Sequence, residues 1–75
     1  MKMEYFRKHR AMPFVKRGMR VKNTYNGLEG RVSGANSSGN LNITFDGFSY
    51  SQNIHPKWMM QYFDKDGDLI ADYKD

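Results

Sequence analysis

The segment Leu41-Asn42-Ile43-Thr44-Phe45 carries the clearest secondary-structure signal in this chain of 75 residues. Apolar and polar residues alternate strictly, so Leu41, Ile43 and Phe45 point to one side of an extended chain, and Asn42 and Thr44 point to the other. Branched and aromatic side chains also favour strands. We therefore expect a strand with one face in the core and the other in water, as is typical of antiparallel sheets.

Four further segments with strand character surround this one. On its N-terminal side, residues 18–25 alternate with a period of two, the turn Asn26-Gly27 follows, and residues 30–34 form a short strand. On its C-terminal side, residues 48–51 and 58–63 are predicted to be the fourth and fifth strands. Five short strands separated by Gly, Asn and Asp turns predict a mainly all-β fold, a small five-stranded barrel or strongly bent sheet.

The N-terminal residues 1–17 are predicted to be a basic arm or a short helix. Met3, Phe6 and Arg10 lie at helical spacing, but Pro13 ends any helix before the strands begin. A helix this short is marginal on its own, so an arm that orders only on docking is the alternative.

The C-terminal part of the chain completes the expected domain organisation. The barrel spans residues 18–70, and Leu69 and Ile70 are expected to pair back or to cap its end. Residues 71–75 form an acidic tail that is expected to fray. Its last four residues, Asp72 to Asp75, match the opening of a common epitope tag.

The composition and the charge distribution narrow the class of protein. The chain has no cysteine and no apolar run near the ~18 residues that a membrane span needs, and it lacks a secretory signal, so we expect a cytoplasmic protein that does not contact membranes. The net charge is +4. The first 22 residues hold eight Lys or Arg against one acid, whereas residues 61–75 hold five Asp against two Lys. Such a distribution favours an anionic partner near the N-terminal part, or mutual attraction of the two termini.

A resemblance to a known class of barrel rests on three segments. Gly18-Met19-Arg20-Val21, then Gly27-Leu28-Glu29-Gly30-Arg31-Val32 and then residues 41–45 resemble a KOW-like, SH3-type barrel, in which a glycine at the corner lets two strands cross closely. With Phe45-Asp46-Gly47 and His55-Pro56-Lys57-Trp58 added, the pattern also looks like small uncharacterised proteins encoded by bacteriophages and prophages. The resemblance covers residues 18–62. It implies a binding module for RNA, DNA, a ribosome, RNA polymerase or a protein ligand, located in the bacterial cytoplasm if the chain is phage-encoded.

Residues with catalytic or metal-binding chemistry do not form a recognisable motif. The acidic run from Asp64 has the spacing of a calcium loop, but Leu69 stands where such a loop needs glycine. His9 and His55 have no partner at metal-ligand spacing, and we expect His55 to hold a loop by hydrogen bonding. No serine lies in a nucleophile elbow. We therefore expect no enzyme, no metal and no cofactor.

The basic residues form the first candidate binding site. Arg20 and Lys22 are expected to project from the outer face of the first strand near Arg31, with Lys16 and Arg17 just before them. The predicted nucleic-acid-binding residues are Arg7, Lys8, Arg10, Lys16, Arg17, Arg20, Lys22 and Arg31.

The aromatic residues Tyr25, Phe48, Tyr50 and Trp58 form the second candidate site, as stacking platforms or as anchors on a partner, although core packing is the favoured alternative for Trp58. Together the two sets predict a non-enzymatic binding module that engages nucleic acid, RNA or DNA, or a nucleoprotein machine of transcription or translation. The alternative is a small phage-encoded protein that binds and modulates an acidic host protein, with the aromatic residues as anchors.

If nucleic acid is the ligand, we expect its affinity to fall steeply as the salt concentration rises, because bound phosphates release their counterions. Titration of a labelled oligonucleotide at 50 and at 200 mM salt, salt levels between which such binding typically weakens by orders of magnitude, measures this. An affinity that does not depend on salt would count heavily against nucleic acid.

Overall fold

The computed structural model describes residues 2–74, which form one open antiparallel sheet of six strands and one short helix. The elements are α1 (Met3–His9), β1 (Arg20–Asn23), β2 (Glu29–Ala35), β3 (Leu41–Phe45), β4 (Gln52–Ile54), β5 (Met60–Phe63) and β6 (Leu69–Tyr73). The strand order is β4-β3-β2-β1-β5-β6, so β4 and β6 are the edges. Within these residues, no helix is long and apolar enough to cross a membrane.

The core lies on one face of the sheet. In β3, Leu41, Ile43 and Phe45 are buried while Asn42 and Thr44 point away, which confirms the predicted alternation. Val21 of β1 and Tyr62 of β5, which lie opposite each other, bury their side chains on the same face. A sheet that buries one face needs a cover over that face.

The N-terminal residues supply this cover. Phe6, Met12 and Val15 are fully buried and belong to the same apolar cluster as the inner face of the sheet, and Met3 is nearly so. The helical spacing of Met3 and Phe6 is therefore confirmed in α1, and the short helix, not a free arm, is the form that the structure has.

The fourth strand lies at Gln52–Ile54, so its prediction at residues 48–51 is wrong. Asn53 pairs with Asn42 of β3, whereas residues 46–51 form the connecting loop. The alternation of Phe48 and Tyr50 imitates a strand, but their rings pack on each other at the surface. The fifth strand begins at Met60 and not at residue 58.

A sixth strand, β6, runs from Leu69 to Tyr73, so pairing back, one of the two alternatives expected for Leu69 and Ile70, is confirmed, and the expected fraying of the tail is wrong for Ala71 to Tyr73. β6 pairs along β5, with Ala71 opposite Tyr62 and Tyr73 opposite Met60. The rings of Tyr73 and Tyr62 are 5.9 Å apart, which explains why an acidic segment is held on the sheet. Asp72, between Ala71 and Tyr73, is exposed to solvent.

Gly30 is the point of closest approach between two strands. A Cβ atom added to Gly30 would lie 2.5 Å from the carbonyl oxygen of Thr44 and 2.7 Å from Cα of Phe45, both of them backbone atoms of β3. By contrast, a Cβ at Gly34, also on β2 and also buried, would meet only the flexible guanidinium of Arg17, at 3.4 Å.

Gly30→Ala is therefore expected to lower the free energy of unfolding by about 3 kcal/mol, because β2 must move away from β3. Gly34→Ala is the matched control and is expected to change it by less than about 1 kcal/mol. Urea unfolding of both variants measures the difference. Equal effects would show that the close contact at Gly30 has no special role.

Helix α1 ends in a left-handed residue that is not glycine. Ala11 has a φ of 54°, its amide donates to the carbonyl of Lys8, and the amide of Met12 donates to the carbonyl of Arg7. This is the Schellman pattern, in which glycine is the usual residue at the left-handed position. The Cβ of Ala11 thus strains an exposed position.

Ala11→Gly is expected to stabilise the protein by about 1 kcal/mol, since the Cβ clash of the left-handed conformation disappears. For a domain of this size, such a change raises Tm by roughly 4–8 °C in a thermal melt. Ala35→Gly, in strand β2, is the control and should lower Tm, because glycine there only adds freedom to the unfolded chain. A lower Tm for Ala11→Gly would contradict the assignment of strain.

Candidate binding surfaces

Three of the predicted basic residues hold the fold together. The Nε atoms of Arg7 and Arg10 donate to the carbonyls of Val15 and Gly39, the latter at 2.8 Å, and Nη1 of Arg17 donates to the carbonyl of Ser33 at 2.8 Å. Each bond ties the N-terminal segment to itself or to the β2–β3 hairpin. Their charges remain, but the fold fixes their positions.

Arg20 is engaged in an ion pair on the outer face of the sheet. Its guanidinium donates to both carboxylate oxygens of Asp46, at 3.0 and 2.8 Å, and Glu29 lies 3.7 Å away. These hydrogen bonds, opposed by partial desolvation, lower the pKa of Asp46 below its ordinary value. Arg20 also lies directly opposite Arg31, which confirms that the two share a face. A phosphate would have to displace Asp46 to bind Arg20 in the same bidentate way.

The side chains of the other four predicted cations, Lys8, Lys16, Lys22 and Arg31, make no hydrogen bond or ion pair with other residues of the described range 2–74. Lys22 and Arg31 lie on the outer face of β1 and β2, whereas Lys8 is on α1 and Lys16 precedes β1. The predicted basic set is therefore distributed over several parts of the molecule.

The four predicted aromatic residues form two exposed pairs. The rings of Tyr25 and Trp58 are 5.2 Å apart, and those of Phe48 and Tyr50 are 5.7 Å apart and nearly perpendicular. Their exposed fractions are 72% for Tyr25, 39% for Trp58, 37% for Phe48 and 59% for Tyr50. The favoured expectation that Trp58 packs in the core is wrong. Met60 and Tyr62 already fill the core at the start of β5, so Trp58 stays on the preceding loop.

Both pairs emerge at the same end of the sheet. β1 ends at Asn23, which lies opposite Met60, the first residue of β5, while Val21 and Phe45 both lie opposite Gly30. The turn after β1 carries Tyr25, the loop before β5 carries Trp58, and the loop after β3 carries Phe48 and Tyr50. We call this end of the sheet, defined by Tyr25, Phe48, Tyr50 and Trp58, the aromatic end.

Backbone contacts fix the loop that carries Trp58. The carbonyl of Met59 accepts the amide of Thr24 at 2.8 Å, so the loop is tied to the turn of Tyr25. Nδ1 of His55 accepts the amide of Lys57 at 3.1 Å, which confirms the loop-holding role expected for this histidine. The hydroxyl of Tyr62 donates to the carbonyl of Pro56, and burial raises the pKa of Tyr62, so it stays protonated and keeps this bond.

A buried asparagine fixes the turn that carries Tyr25. Asn23 is 1% exposed, and its Oδ1 accepts the amides of Tyr25 and Asn26 at 3.1 and 3.2 Å. Its Nδ2 donates to the sulfur of Met60 at 3.6 Å. Sequence analysis did not identify this anchoring role of Asn23. An Asn two residues before a ring, at the entry to an Asn-Gly turn, is the signal that could have revealed it.

Cations do not interleave with the aromatic rings. Asp46 lies two residues before Phe48, and serines flank Tyr50 on both sides. Lys57, next to Trp58, lies with its ammonium 5.9 Å from the ring centre of Tyr73. The aromatic end is therefore an apolar and polar surface with little net charge.

Comparison with known proteins adds no relative from which a function can be transferred. Searches against models of protein families, curated proteins and solved structures each gave no match to this chain. The functional argument consequently rests on the geometry of the two candidate surfaces.

Proposed function

We propose that this chain is a non-enzymatic binding module that docks on a protein partner through the aromatic end. The observation that carries the proposal is the presence of two exposed aromatic pairs at one end of the sheet. Tyrosine and tryptophan supply large contact areas at a low cost in side-chain entropy, and they are enriched among the residues that dominate protein interfaces. Rings that are already paired and tied by the backbone lose little freedom on binding.

The charge around the rings favours a protein over nucleic acid at this surface. Proteins that stack bases combine aromatic residues with a positively charged groove that follows the phosphates. Here Asp46 is close in sequence to one pair, and three of the predicted arginines, Arg7, Arg10 and Arg17, are held by contacts of the N-terminal segment. The strands next to the two pairs, β3 and β5, are separated by three strand spacings of ~4.8 Å, about 14 Å along the sheet. Two anchors at this distance suit a folded protein surface.

We further infer that the sheet has the SH3-type barrel form that the sequence resembles. A flat sheet of six strands would be about 24 Å wide and a single layer thick. The described chain instead measures 27 × 25 × 24 Å. Strong curvature of the sheet around its inner face, together with the N-terminal cover on that face, accounts for these nearly equal dimensions. If the chain is phage-encoded, as the resemblance implies, the partner is a host protein in the bacterial cytoplasm.

Nucleic-acid binding through the basic residues is the second candidate. It is favoured by the net charge of +4 and by Lys22 and Arg31, which lie on the outer face of adjacent strands without an ion pair to other described residues. The basic surface is charged, whereas the aromatic end carries little net charge. One experiment with a protein arm and an oligonucleotide arm therefore tests both candidate functions.

We expect the double variant Tyr25→Ala/Tyr50→Ala to weaken binding of the protein partner by at least tenfold, because each substitution removes an exposed anchor. The tagged protein is incubated with nuclease-treated bacterial lysate, captured partners are quantified by mass spectrometry, and the affinity for the leading partner is then measured directly.

Tyr5→Ala is the matched control for this experiment, since Tyr5 is 60% exposed but lies on α1. It should bind as the wild type does, and thermal melts verify that all variants fold. Equal losses in the control and the double variant would contradict the proposal. If nuclease removes every captured partner and Lys22→Glu/Arg31→Glu abolishes oligonucleotide binding, nucleic-acid binding replaces protein docking as the proposed function.

A further inference from the structure

A groove lies at the other end of the sheet from the aromatic end. Its walls are residues 14–20, which lead into β1, and residues 63–70, which form the β5–β6 hairpin. Its volume is about 620 Å³, within the range of ligand-binding clefts. Most residues on both walls are exposed, so the groove is open to solvent along its length.

The groove has an apolar floor that the protein itself does not cover. Phe14 and Phe63 are half-buried and line it, and Ile70 is 43% exposed beside them. Together these side chains offer a surface for an apolar group.

Cations stand on both walls of the groove. Lys16 and Lys65 line it from opposite walls, and their side chains make no hydrogen bond or ion pair within residues 2–74. Arg17 and Arg20 also line the groove, although the carbonyl of Ser33 and the carboxylate of Asp46 hold them.

The acidic residues of the groove only partly balance these cations. Oδ1 of Asp64 accepts the amides of Asp66 and Asp68, both at 2.9 Å, so this carboxylate serves the hairpin turn. Asp66 is the other acid of the lining, against four cations. The groove thus combines an apolar floor with a net positive charge.

We propose that this groove binds an acidic, extended peptide segment of a protein partner. One apolar side chain of the segment packs against Phe14, Phe63 and Ile70, and flanking carboxylates meet Lys16 and Lys65. In an extended chain, successive side chains point to opposite sides, so when the apolar residue faces the floor its acidic neighbours face the mouth of the groove, where Lys16 and Lys65 are exposed. A phosphate backbone satisfies the cations, but it leaves the floor of Phe14, Phe63 and Ile70 without an apolar partner.

This inference goes beyond the proposed function, because the groove shares no residue with the aromatic end. The test uses fluorescence polarisation of the full chain with a dye-labelled nonapeptide of alternating Glu and Leu. We expect saturable binding that Lys16→Glu/Lys65→Glu weakens by at least about tenfold, since two attractive contacts become repulsive. Ile70→Gln should weaken it severalfold by making the floor polar.

Two controls separate the groove from nonspecific charge and from the aromatic end. Lys8→Glu changes the net charge on α1, and Tyr25→Ala/Tyr50→Ala removes the aromatic anchors; both should bind the peptide as the wild type does. If the double glutamate variant does not fold, Lys16→Gln/Lys65→Gln replaces it and is expected to weaken binding severalfold.

Three results would overturn the proposal: no binding by the wild type, an equal loss in Lys8→Glu, or no effect of Ile70→Gln. Displacement of the peptide by a ten-nucleotide oligothymidine at a lower concentration than unlabelled peptide would also overturn it, and would assign the groove to nucleic acid.

Discussion

The rest of this structure depends on the cover that the N-terminal residues place over one face of a single sheet. A lone sheet leaves one apolar face without a partner, and residues 2–74 form no second sheet that shields it. Phe6, Met12 and Val15 fill that role and are as buried as the centre of β3. The segment that looks like a basic arm in the sequence is therefore part of the core. Arg10 and Arg17 of this segment donate hydrogen bonds to carbonyls of the β2–β3 hairpin. Their guanidinium groups are therefore less available to a ligand than the sequence suggests.

The direction of β1 separates the two candidate surfaces. β1 begins beside the groove and ends at the turn of Tyr25, and its neighbours β2 and β5 run antiparallel to it. Loops at one end of the sheet therefore carry the rings, whereas the segment before β1 and the β5–β6 hairpin carry unpaired lysines beside an apolar floor. The basic and the aromatic residues, which sequence analysis treated as two candidate sites, thus lie apart: the four aromatic residues share one end of the sheet, whereas the basic residues are distributed over several parts of the molecule.

Sequence patterns predicted those parts of the fold that local chemistry determines. The alternation in β3 and the shared face of Arg20 and Arg31 follow from the period of a strand, and the turn at Asn26-Gly27 follows from the freedom of glycine at positive φ. The position of β4 and the full length of β6, which were not predicted, depend on their partner strands. Asn53 is in a strand because Asn42 lies opposite it, and Tyr73 is held because it meets Tyr62. The exposure of Trp58 and the carbonyl contacts of Arg10 and Arg17 likewise depend on tertiary neighbours, which no local pattern contains.

The backbone conformation of Met59 indicates that the local structure holds Trp58 at the surface. Met59 has a φ of 52°, a conformation that costs a residue with a Cβ atom roughly 1–2 kcal/mol, and glycine would avoid that cost. In this conformation the carbonyl of Met59 accepts the amide of Thr24, and the loop is tied to the turn of Tyr25. The ring of Trp58 then meets Tyr25 at the surface and stays out of the core. The strained backbone at Met59 lowers the stability of the domain. The exposure of 39% of Trp58, the only tryptophan in the sequence, lowers it further, because that ring is not buried in the core. The proposed docking of the aromatic end on a protein partner accounts for both losses together.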